Sequence, residues 1–70
     1  MTDKENLARA YEFAWKAVKK RTCIVTIEPN GWFTRSFPDW ALRPDKKRAS
    51  DLLRGLVLLT EQLEKKMEAI

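Results

Sequence analysis

The sequence predicts an α+β fold: a small α-β-β-α domain in which a two-stranded antiparallel hairpin packs against two helices, the second of them long. Three observations lead there. A β-branched run over residues 22–28 is followed, across Pro29, Asn30 and Gly31, by an aromatic-rich run over residues 32–37. Amphipathic patterns with helical spacing lie on both sides of that pair. At 70 residues the chain has room for one domain and one modest core. The single cysteine, Cys23, allows no internal disulfide, and the lack of histidine or a second thiol leaves no structural zinc site. Oligomerisation is the remaining common way to stabilise so small a core, so a homo-oligomer is expected.

The first helix is expected over residues 3–21. Thr2 and Glu5 have capping-box spacing, and early acids with late bases suit the helix dipole. Leu7, Ala10, Tyr11, Ala14, Trp15 and Val18 share one face, which should meet the hairpin and the last helix. Phe13 lies off that stripe, with Arg9, Lys16 and Lys20 around it. An aromatic ring among cations can stack on a base or anchor a protein partner, or it can be an edge residue covered by lysine stems.

The hairpin, residues 22–37, has an arguable register. Glu28-Pro29-Asn30-Gly31 suits a type I turn with glycine as the left-handed bulge residue. That pairs Glu28 with Trp32, Ile27 with Phe33, Val25 with Arg35 and Cys23 with Phe37. One face then carries Cys23, Val25, Ile27, Phe33 and Phe37, interrupted by Arg35. A tight Asn-Gly turn would instead oppose Ile27 with Thr34 and mix the faces. Arg35 on the apolar face breaks the local rule, and is expected either to reach past the sheet edge or to pair with a carboxylate such as Asp39. Both strands would be edges, which pairing between two protomers would cover.

Residues 38–44 form a connecting turn, expected to make one helical turn with Trp40 and Leu42 plugging the core. The last helix is expected over residues 45–69, with Asp45 as N-cap. Its stripe is Ala49, Leu52, Leu53, Leu56, Leu59, Leu63, Met67 and Ile70, with Leu58 on the opposite side. The helix should overhang the first, so Leu56, Leu58, Leu59, Leu63, Met67 and Ile70 are the expected oligomer interface. Gly55, costly in a helix interior, suggests a close helix crossing.

Chemistry narrows the function. There is no histidine for acid–base work and no glycine-rich phosphate loop, and the one thiol lies in an apolar strand. No enzyme, cofactor, metal or small-molecule substrate is therefore expected. The longest apolar run, residues 56–59, is too short to span a bilayer, and the polar, mixed-charge start is unlike a signal peptide; with the free thiol, this reads as cytoplasmic.

The formal charge is +4, but residues 16–54 carry +6 and each flank −1. The bases there are Lys16, Lys19, Lys20, Arg21, Arg35, Arg43, Lys46, Lys47, Arg48 and Arg54. If the two helices pack antiparallel, the clusters at residues 16–21 and 43–48 meet at one end and offer a surface to nucleic acid phosphates. Phe13 and Trp32 would then be available to bases. The competing expectation is an adaptor or inhibitor that docks on an acidic protein through the hairpin edge or the leucine face.

Overall fold

The computed structural model describes residues 2–68. The order is α1 (Asp3–Lys19), β1 (Ile24–Ile27), β2 (Phe33–Ser36), β3 (Asp45–Lys47) and α2 (Ala49–Glu68). The α+β class, the hairpin and the long C-terminal helix are as the sequence predicts. The sheet, however, has three strands in the order β1-β2-β3, both pairs antiparallel.

The start and end of α1 follow from local chemistry. The Thr2 hydroxyl accepts from the Glu5 N–H at 3.2 Å. At the other end Lys20 adopts a left-handed conformation, φ 60°, and its N–H bonds the Lys16 carbonyl. The helix therefore stops at Lys19 rather than residue 21.

The hairpin has the bulged register. Ile27 pairs with Phe33 and Val25 with Arg35. Gly31 N–H closes the turn onto the Glu28 carbonyl at 3.0 Å, and Glu28 N–H bonds the Trp32 carbonyl at 2.8 Å. Gly31 has φ 90°, the conformation that glycine supplies without strain.

The final helix begins at Ala49, not at residue 45. Asp45, expected as its N-cap, is a strand residue opposite Arg35. The physical reason lies on β2. In a two-stranded hairpin its outward N–H and C=O groups would be left unpaired, and Asp45-Lys46-Lys47 pairs with them. β2 is thus central rather than an edge.

This extra strand reverses the expected helix arrangement. A Cβ built on Gly55 would lie 3.1 Å from Tyr11 Cε2, while Lys66 Nζ donates to the Val18 carbonyl at 3.0 Å. Tyr11 to Val18 on α1 therefore runs alongside Gly55 to Lys66 on α2, and the helices are parallel. Three sheet traversals instead of two return the chain to the N-terminal end of α1 before α2 starts.

The core lies between the helices and one sheet face: Ala8, Tyr11, Ala14, Trp15 and Val18 from α1, Cys23, Val25, Phe33 and Phe37 from the hairpin, and Leu52 and Leu59 from α2. Ala10, expected on the stripe, is exposed. Trp15 stacks with Tyr11 and meets Phe37, with ring centroids 6.1 and 5.1 Å away. Its indole N–H has no protein acceptor among the described residues.

Trp40 and Leu42 are not core plugs. They are 39% and 45% exposed, and residues 38–41 make turns and bends rather than a helical turn. Trp40 packs against the edge of the core instead, its ring centroid 6.2 Å from that of Trp15. No helix among the described residues is long and apolar enough to cross a membrane.

The Gly55 crossing yields a stability prediction. Gly55→Ala should forfeit the roughly 1 kcal/mol that alanine normally gains in a helix, because its methyl meets the held Tyr11 ring. Gly55→Leu should destabilise by about 1–3 kcal/mol. Urea unfolding of both variants checks this; an Ala variant more stable by the full helical increment would contradict the close contact.

Candidate nucleic-acid interface

The expected site residues do not form one surface. Because the helices are parallel, the cluster at the end of α1 and the cluster at β3 and the start of α2 lie at opposite ends of the domain. Lys16, Lys19, Lys20 and Arg21 are exposed at the first end. Lys46 and Arg48 are exposed and Lys47 half-buried at the second, near the hairpin turn and Lys4.

Arg35 is withdrawn from any external role. Its Nε and Nη2 donate to the two carboxylate oxygens of Asp45 at 2.8 and 2.5 Å, and Nη1 donates to the Tyr11 hydroxyl at 2.6 Å. The guanidinium also lies 5.3–5.8 Å from the rings of Phe37, Trp15 and Tyr11. Its side chain is only 15% exposed. The partner is Asp45, not Asp39. These bonds hold the Asp45 carboxyl below the usual carboxylate range, against the opposing effect of burial. Burial pushes the Tyr11 phenol up.

At the second end, Arg48 lies over the Trp32 ring at 5.1 Å, and Trp32 is half-buried. Each thus occupies the other. Lys46 opposes Thr34 on the solvent face of the sheet. Arg54 is exposed on α2, apart from both groups.

The first end holds more. Asp39 accepts from the Thr22 N–H at 3.3 Å, and Arg21 Nη1 donates to the Asp39 carbonyl at 2.9 Å. Arg21 also sits 5.0 Å from the centroid of Trp40, which is 39% exposed. Bonding by Thr22 lowers the Asp39 pKa, and the charges of Lys16 and Arg21 lower it further. Arg43 is exposed on the same connector as Trp40. Arg21 thus covers an aromatic ring expected in the core, while Lys19 lies over Trp15 at 5.7 Å and Lys16, Lys20 and Arg43 are exposed on the adjoining helix end and connector.

Beside this end, a groove of about 470 Å³ runs between α1 and β1, lined by Arg9, Glu12, Phe13, Lys16, Thr22, Cys23 and Ile24. The β1 edge along it is closed at Val25. Glu12 accepts from the Val25 N–H at 2.7 Å, Arg9 donates to the Val25 carbonyl at 2.8 Å, and the two side chains pair at 3.2 Å. This arrangement was missed in the sequence, although Arg9 and Glu12 one helical turn apart carry its trace.

On α2, Leu59 is buried in the core, and Leu56 and Leu63 are half-buried against it. Leu58 is exposed, as are Leu53 and Val57. Ile70 and the side chain of Met67 lie outside the described residues. Among the described residues no group of three or more histidine, cysteine or acidic side chains could hold a metal ion. No protein-family model, curated protein or solved structure compared with the chain matches it.

Burial pushes the Cys23 thiol up to about 11, leaving little thiolate at neutral pH. Native protein should react with iodoacetamide only on unfolding, and mass spectrometry along a urea series would show it; rapid native labelling would contradict the burial. For Asp45 the depressed folded pKa gives stability that is present above about pH 4 and lost as pH falls through the folded value. Asp45→Asn should therefore lower stability at pH 7 and flatten the acid limb of a stability–pH profile measured by urea unfolding.

Proposed function

We propose that this chain is a non-enzymatic regulatory or accessory protein, cytoplasmic and homodimeric, that binds DNA or RNA. The contact surface in this reading is the end of α1 with the connector beside it: Lys16, Lys19, Lys20, Arg21 and Arg43. One observation carries it. Trp40 lies exposed under Arg21 among exposed cations, with Asp39 the one carboxylate there and already bonded to Thr22. Solvent-facing lysines suit phosphates, and a cation-backed indole suits a base. The opposite end supports the reading less, because Trp32 beneath Arg48 is half-buried, whereas Trp40 is exposed.

A second reading, docking on a protein through α2, has the exposed Leu53, Val57 and Leu58 in its favour. The same residues are the available surface for a homodimer. Docking by strand addition on β1 has less support, since the outward groups of Val25 are taken.

Tryptophan fluorescence titrated with mixed-sequence DNA and RNA, at low and at physiological salt, tests the proposal. Saturable quenching that weakens steeply with salt is expected. Lys16→Gln, Lys19→Gln and Lys20→Gln together should reduce the salt slope by about 2–3. Lys46→Gln with Lys47→Gln should change it little. The absence of any response at low salt would overturn the proposal.

A further inference from the structure

We infer that the α1–β1 groove receives an unstacked nucleobase against Phe13, so that the nucleic acid bound is single-stranded. The inference rests on the nucleic-acid reading above and adds the form of the ligand.

Phe13 is 74% exposed, the greatest exposure among the large apolar side chains described. It lies about 200° round the helix from Tyr11, facing directly away from the core. Arg9 and Lys16 stand four before and three after it, on the same face of α1. Across the groove stands Ile24, 46% exposed. Folding leaves these two apolar surfaces in water, although the core beside them is closed.

The charge of the groove selects among occupants. Glu12 is paired with Arg9 and bonded to the Val25 N–H, so the remaining charged group lining the groove is the Lys16 ammonium, whose charge also acts on Asp39. A flat apolar group that carries an anion fits: a base on Phe13 and Ile24, its phosphate on Lys16. An extended peptide fits less well, because Arg9 and Glu12 hold the Val25 groups it would use. Thr22 connects the groove to Asp39, and so to Arg21 and Trp40. A strand leaving the groove would therefore meet the cation cluster next. In a duplex the base faces are stacked and closed to Phe13; only a single strand offers them.

The test measures anisotropy of a short labelled oligothymidylate, the same strand in a duplex, and a labelled peptide of alternating glutamate and leucine. Each is titrated with wild type, Phe13→Ala and Phe13→Tyr. Phe13 is a surface residue, so the variants should keep the wild-type circular dichroism and melting. The single strand should bind at least several-fold tighter than the duplex. Phe13→Ala should weaken it roughly 5- to 100-fold and leave duplex binding unchanged, while Phe13→Tyr restores it. Equal affinity for both forms with no effect of Phe13→Ala would overturn the groove inference and leave the phosphate reading standing. Binding to neither nucleic acid at low salt would overturn both. Phe13-dependent binding of the peptide alone would assign the groove to a protein partner and overturn it too.

Discussion

Arg35 sits where three elements meet, and its guanidinium decides how they are arranged. Two of its nitrogens grip Asp45 and so fasten β3 to β2. A third reaches Tyr11 and fastens the sheet to α1. Three aromatic rings shield it, so the ion pair acts in a partly desolvated setting where a paired charge is strongly held and an unpaired one is costly. With β3 fastened, the chain makes its third pass across the sheet and α2 must start beside the N-terminal end of α1. The parallel helices, the crossing at Gly55 and the separation of the two basic clusters all depend on that pass.

The parts of this arrangement that are local were legible in the sequence. Thr2 as a cap and the Pro29-Asn30-Gly31 turn with its bulge depend on residues within a few positions of each other, and both are present. The Gly55 crossing was legible because glycine inside a helix needs a reason. Asp45 was not, since the same residue can cap a helix or extend a strand, and only the unpaired edge of β2 and the charge on Arg35 decide between them. Trp40 failed for a related reason. It packs on the rim of Trp15 rather than inside the core, and how deep a ring sits against its neighbours is a question that no spacing rule answers. Phe13 could be placed outside the core because a ring opposite the apolar stripe has nowhere else to go.

For the candidate interface, the same logic moves the emphasis. Summed along the sequence, the positive charge looks like one central zone. Folded, part of it is spent: Arg35 on Asp45, Arg48 on Trp32, Arg9 on Glu12 and Val25. The end of α1 keeps Lys16 and Lys20 exposed beside Arg21, itself held on Trp40 and the Asp39 carbonyl, and it is there that aromatic surface is exposed as well. Charge that is unspent and aromatic surface that is unburied are better guides to a ligand than total basicity.

The Arg9–Glu12 clasp on Val25 also bears on how the protein behaves in a crowd. A short outer strand with open backbone groups is a template on which another copy can add, and repeated addition ends in amyloid-like stacks. Here a helix supplies one donor and one acceptor in the places where an incoming strand would supply its own. The side chains thus impersonate a neighbouring strand that cannot be extended. At Val25, beside the exposed Ile24, the margin of the sheet therefore offers an incoming strand no free pair of backbone groups.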